Sequence, residues 1–228
     1  MLAQTEENME LVDGNYRQKD YWIVENRAYE EPSFRLFKCA RMLNDLARGK
    51  NCSLLDVGCG PGALRDLLDP NIKYQGIDIA LQHPATCMRE VDFAKNPIAC
   101  DGQRFDFVVA LGVLEYMGTL QIQKFKEIAG ILNPRGKFIM SYINFGHYRK
   151  RVWPNYNNVQ SIPAMAKSLS GVFELQRCFP ASHHWRQKQP GRYSLGPLQM
   201  HVNFNIPVMS PLLAVEYFFL CTHKSGPA

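Results

Sequence analysis

The sequence predicts an α/β fold: a mostly parallel, doubly wound sheet of seven strands with helices on both faces. The expected strand order is 3-2-1-4-5-7-6, with the seventh strand antiparallel. Three observations predict it. Short runs rich in β-branched and aromatic residues alternate with segments of helical periodicity. A glycine-rich stretch, Gly58-Cys59-Gly60-Pro61-Gly62, follows the first apolar run. An acid closes each of the first three strands: Asp56, Asp78 and Asp92. The 228 residues suffice for one such domain with a full core.

Taken in order, residues 1–20 lack apolar periodicity. Tyr21 to Leu46 is more helical, with Phe34, Phe37, Ala40, Met42, Leu43 and Leu46 on one face. Pro32 opens its second helix. Residues 1–48 read as an N-terminal helical segment, and 49–228 as the main domain with an insert at about 180–211. Ser53 to Asp56 ends the first strand. The glycine turn follows, and Ala63 to Leu68 carries a helical pattern. Tyr74 to Ile77 is the second strand and Met88 to Val91 the third. Phe105 to Ala110 is the fourth, and Lys137 to Ile143, after the helix Gln121 to Leu132 and an Asn133–Gly136 turn, is the fifth. Ile162 to Leu169 reads as a helix, with strands at Gly171–Phe179 and Leu213–Thr222.

A strand running through glycines into a helix brings backbone close to a ligand, because a Cβ would block the approach. Gly58 to Ala63 fits a loose G-x-G-x-x-[GA] dinucleotide pattern. Asp56, two residues before the first glycine, argues against a pyrophosphate, which its carboxylate would repel. It suits the amino group of a methionine moiety. Asp-x-Gly-x-Gly-x-Gly after an apolar strand resembles motif I of the class I S-adenosylmethionine-dependent methyltransferases, which have a Rossmann-like seven-stranded sheet.

That resemblance implies S-adenosyl-L-methionine as cofactor and S-adenosyl-L-homocysteine as product. It sets Asp56, Gly58, Gly60 and Gly62 at the methionine end. Asp78, 20 residues past Gly58, would accept from the ribose hydroxyls, beside Ile79. Asp92 would bind the adenine amino group, with Glu90 a nearby competitor, and Phe93 would supply a backbone donor. Phe105-Asp106-Phe107-Val108-Val109 resembles the family's motif IV region, followed at Leu111 by a turn over the methionine end. Glu115 could hold the sulfonium edge, orient a substrate or cap the next helix. An N-terminal helix over the cofactor, common in the family, would put Tyr21 and Trp22 against the substrate. Asn144-Phe145-Gly146-His147-Tyr148-Arg149 is similar to the segment after strand five in the MetW-like branch.

Composition narrows the class. No run of 18 apolar residues exists, so no membrane-spanning helix is expected. The acidic, polar start is not a signal peptide. Seven scattered cysteines without a C-x-x-C pair read as reduced thiols of a cytoplasmic protein. The net charge of +5 is uneven: residues 141–201 carry eight Lys/Arg and one acid, which would steer an anionic acceptor.

Methyl transfer needs an aligned nucleophile and, for a hydroxyl or amine, a base. His147, His183 and His184 are the candidates. Tyr148, Arg149, Trp185 and Arg186 are candidate substrate contacts. A carboxylate acceptor would need positive groups rather than a base. Adjacent His183 and His184 do not make a metal site, and no metal is expected. The favoured reading is methyl transfer to a small-molecule hydroxyl, amine or carboxylate. A nucleic-acid methyltransferase and a non-catalytic MetW-like partner subunit are the alternatives. An isoelectric point near 8.8 and the lack of an Asn-Pro-Pro-Tyr-like motif disfavour nucleic acid. The oligomeric state is left open.

Overall fold

The structure is a computed structural model. It describes residues 19–25, 32–81, 83–98, 102–144, 160–183, 187–189, 192–195, 198–201 and 214–224. Seven strands form the main sheet: β1 (Cys52–Val57), β2 (Ile72–Asp78), β3 (Met88–Glu90), β4 (Phe105–Leu111), β5 (Leu132–Ile143), β6 (Phe173–His183) and β10 (Ala214–His223). Their order is β3-β2-β1-β4-β5-β10-β6. The first five strands run parallel, and β10 is antiparallel to both its neighbours. This is the expected order, with β10 as the seventh strand.

Alternation along the strands builds two apolar layers. Leu54, Phe107, Val109, Ile139, Phe218 and Leu220 pack on one face with Cys39, Leu43 and Ala47 of α2 (Phe34–Ala47). Leu55, Val57, Val108, Ala110, Phe138 and Phe219 pack on the other. That second face meets Phe125 and Ile128 of α3 (Gln121–Ile131), and Met165 and Leu169 of α4 (Ile162–Ser170). Helices therefore cover both faces.

Three details differ from the sequence reading. The helix expected over Ala63–Leu68 is only a 3-10 turn, Arg65–Leu67. Seven residues separate Gly62 from Pro70. So short a stretch gains too few hydrogen bonds to offset the cost of nucleating an α-helix. Asn133–Gly136 lies inside β5 rather than ahead of it. The register jumps there from Phe105↔Leu132 to Phe107↔Lys137, so the segment is absorbed as a bulge. Asn133 anchors it by donating to Asp106 Oδ1 at 2.7 Å. Third, the insert contains a separate antiparallel sheet, β7 (Gln187–Gln189), β8 (Arg192–Leu195) and β9 (Leu198–His201).

Among the described residues no helix is long and apolar enough to cross a membrane. Nor does any group of three or more His, Cys, Asp or Glu among them form a metal-binding cluster.

Candidate active site

In this topology the strand order reverses between β1 and β4, and the crevice outside their carboxyl ends is where such sheets take ligands. The acids of the sequence reading lie at that edge. Asp56 is the fifth residue of β1 and is 4 % exposed; Asp78 ends β2 and is 6 % exposed.

Asp78 holds the glycine turn. Its Oδ2 accepts from Gly60 N at 2.8 Å and its Oδ1 from Ala80 N at 3.0 Å. Gly58 N and Cys59 N donate to Ile77 O at 2.8 and 3.1 Å, which docks the same turn on β2. Gly58 has φ +72°, and a Cβ on it would overlap the Val113 side chain. Gly76 is glycine for a related reason: a Cβ there would sit 2.8 Å from Cys59 Sγ and 2.9 Å from Tyr74 Oη. The turn lies flat on β2 because β2 offers it no side chain at that point.

Asp56 accepts from Tyr74 Oη at 3.0 Å. Burial pushes its carboxyl up to about 7. The Tyr74 bond opposes the rise, Asp78 adds to it, and Arg35 opposes it. Asp92 follows β3 and is half-buried; it accepts from Ala94 N at 3.2 Å and pairs with Lys95 at 3.0 Å. Phe93 turns into the core. The loop they share is held from α3. Buried Lys124 donates to Asn96 O at 3.0 Å and pairs with Glu127 at 2.9 Å, and Glu127 accepts from Ile98 N. Leu111 is the last residue of β4 and is buried. Ile79 is partly buried directly after β2.

Helix α1 (Lys19–Glu25) spans this edge. Lys19 pairs with Glu90 at the end of β3. Trp22 meets the Tyr116 ring edge-on at 5.3 Å, just beyond β4, and Tyr21 meets Trp22 at 5.1 Å. Between β3 and β4 the sheet has only β2 and β1. The helix therefore straps across the strand ends that carry Asp78 and Asp56.

A second polar cluster lies on the β4–β5–β10 side; sequence reasoning singled out its Glu115 but missed Arg35 and Glu216. Arg35, from the first turn of α2, donates to Glu216 Oε1 of β10 at 2.9 Å. A Cβ on Gly112, the residue after β4, would sit 2.5 Å from Arg35 Nη1, so this glycine makes room for the guanidinium. Glu115 lies on the 3-10 segment Leu114–Leu120, and burial pushes its carboxyl up to about 8. Its own N–H opposes the rise at a geometry that makes no hydrogen bond, Glu216 adds to it, and Arg35 opposes it. Glu216 was the available signal, since an acid inside an otherwise apolar strand needs a partner. Arg35, 181 positions away, gave none of its own.

His183 ends β6 and pairs with Ala214. His147, His184, Tyr148, Arg149, Trp185 and Arg186 lie outside the described residues, as does most of the MetW-like segment.

Comparison with known proteins agrees with this geometry. The family model described as a methyltransferase domain matches residues 33–181. The chain belongs to that methyltransferase family. It is an S-adenosylmethionine-dependent methyltransferase, and its cofactor is S-adenosylmethionine. No curated protein matches the methyltransferase in sequence. Solved structures match it in fold. A chain from the complex containing the Haloferax volcanii Trm112 methyltransferase activator is 16% identical with TM-score 0.64, covering 93% of this chain and 99% of that one. The N-methyltransferase NodS from Bradyrhizobium japonicum WM9, in complex with S-adenosyl-l-homocysteine, is 13% identical with TM-score 0.56, covering 97% and 99%. An S-adenosylmethionine-dependent methyltransferase from Clostridium acetobutylicum is 12% identical with TM-score 0.59, covering 87% and 94%.

Proposed function

We propose that this methyltransferase acts in the cytoplasm on a small-molecule hydroxyl, amine or carboxylate. The observation that carries the reading is the row of acids along one sheet edge, with Asp78 clamping the glycine turn. The acids suit the cofactor's chemistry, because its ammonium and sulfonium are cationic. When bound, S-adenosylmethionine supplies an electrophilic methyl group.

In this reading Asp56 and the turn Gly58, Gly60 and Gly62, with Leu111, hold the methionine end. Asp78 and Ile79 hold the ribose, and Asp92 and Phe93 the adenine. Helix α1 excludes water and sets Tyr21 and Trp22 against the acceptor. His147, His183 or His184 takes the proton of a hydroxyl or amine, and Tyr148, Arg149, Trp185 and Arg186 complete the acceptor side. The basic run 141–201 favours acceptors that carry an anionic group.

Calorimetry with S-adenosylhomocysteine and with NAD, followed by release of S-adenosylhomocysteine in the presence of small acceptors, tests the proposal. Binding of S-adenosylhomocysteine alone, with turnover of a small acceptor, is expected. Tight NAD binding, or turnover only with nucleic acid, would refute it.

A further inference from the structure

Glu115 is 2 % exposed, and neither of its carboxyl oxygens meets a hydrogen-bond partner among the described residues. Buried carboxyls are normally paired or hydrogen-bonded, so one without either is a group that lacks its ligand. The positive charge within reach is already shared. Arg35 donates to Glu216 at 2.9 Å, and the same guanidinium acts on both Asp56 and Glu115. Ser141, on β5 between Leu111 of β4 and Phe218 of β10, keeps a buried Oγ that also has no partner among the described residues. The β4–β5–β10 side of the edge thus holds a carboxyl and a hydroxyl with unused hydrogen-bonding capacity among the described residues.

We infer that Glu115 recognises the methyl acceptor and that the group it recognises is an amine, paired with the carboxyl. The inference rests on the methyltransferase reading above and narrows its acceptor class. An ammonium supplies both a hydrogen-bond donor, which neither Glu115 oxygen has among the described residues, and a positive charge beyond the one Arg35 shares among three acids. An acceptor carboxylate would instead meet Glu115 and Glu216. An alcohol would donate one hydrogen bond to the carboxyl but bring no counter-charge. The cofactor's own ammonium and sulfonium are the other cations that could come here. Topology favours the acceptor, because Asp56 with Tyr74 occupies the β1–β2 side while Glu115 follows β4 on the side toward β5 and β10.

The test uses the full chain saturated with S-adenosylhomocysteine. Matched primary amines, alcohols and carboxylates on alkyl and phenyl skeletons are titrated by calorimetry, and the same compounds are scored for methyl transfer. Amines are expected to bind at least tenfold more tightly than their alcohol and carboxylate counterparts. Glu115→Gln should remove that preference while S-adenosylhomocysteine affinity stays within twofold. The neutral, nearly isosteric glutamine keeps the shape, and its unchanged cofactor affinity certifies the fold. No amine preference in the wild type, or a preference that survives Glu115→Gln, overturns the inference. A Glu115→Gln protein that loses S-adenosylhomocysteine affinity by tenfold or more also overturns it, since the carboxyl then serves the cofactor. Wild-type protein that binds no S-adenosylhomocysteine overturns the site reading and this inference together. Binding without amine preference overturns this inference alone.

Discussion

Replacing Asp78 by asparagine separates the two roles that the structure and the chemistry assign to this carboxylate. Today its two oxygens each accept one backbone N–H, from Gly60 at 2.8 Å and Ala80 at 3.0 Å, at a site 6 % exposed. Asparagine keeps one acceptor oxygen and turns the other into an NH2 that faces a backbone donor. A hydrogen bond to a charged group contributes about 1.5–3 kcal/mol, and a buried N–H left unpaired costs about 1–3 kcal/mol. These terms overlap, so the expected loss of stability is ~2–4 kcal/mol. With a urea m-value of about 2–3 kcal/mol/M, that lowers the midpoint by ~1 M. The same change takes a charged acceptor from the ribose, and S-adenosylhomocysteine affinity should fall at least tenfold, about 1.4 kcal/mol. Urea melts and calorimetry measure the two effects separately. A lower midpoint with unchanged affinity leaves Asp78 as a clamp on the glycine turn and removes its ribose role. Wild-type values in both would refute the whole argument.

Three further perturbations test the surroundings. Gly58→Ala forces a side chain into φ +72° and onto Val113; a loss of ~2–4 kcal/mol and of cofactor binding is expected, and a wild-type melting temperature would contradict it. Lys124→Met frees Asn96 O and removes the charge beside Glu127. Glu127 keeps donors from Ile98 and Gln123, so the loss should be only ~1–3 kcal/mol, below that for a pair left wholly unpartnered, with faster amide exchange at residues 92–98 as the local readout. The pH dependence follows from Asp56 and Glu115, both raised by burial, to about 7 and about 8. The folded protein keeps protons that the unfolded chain releases above about pH 4, so each group makes stability fall as pH rises. The slope is up to about 1.4 kcal/mol per pH unit for each group between pH 4 and its folded pKa. Glu115→Gln should therefore gain on the wild type from pH 5 to 8 in denaturant melts; a constant difference would show that Glu115 does not titrate there.

What was legible in the sequence was what the chain writes locally. The alternation of Leu54 and Leu55, or of Phe107, Val108 and Val109, between two apolar layers needs only the period of a strand. The acids Asp56, Asp78 and Asp92 could be placed because each lies at, or within two residues of, the end of its own strand. Pairings across the fold could not be read. Tyr74 reaches Asp56 because β1 and β2 are in register as Leu54↔Tyr74 and Asp56↔Gly76, so the phenol crosses diagonally over a glycine. Arg35 and Glu216 meet only once α2 has packed against the sheet. The helix expected after the glycine turn failed for the opposite reason. Its pattern was right and its length was not.

That missing helix bears on the ligand. A glycine turn that opens an α-helix presents aligned backbone N–H groups and a positive dipole end, the arrangement that binds pyrophosphate. Here the turn leads into three residues of 3-10 helix, which carry no comparable dipole. One of its N–H groups, that of Gly60, is already spent on the Asp78 carboxylate. The edge is thus poor in positive potential and rich in buried acid, with Asp56, Asp78 and Glu115 all under 9 % exposed. An anionic dinucleotide would meet repulsion without the compensating helix. A cofactor that carries an ammonium and a sulfonium, and no phosphate, meets buried carboxyl groups, and its arrival offsets the burial that raises Asp56. The geometry that departs from a dinucleotide fold is therefore compatible with a sulfonium cofactor.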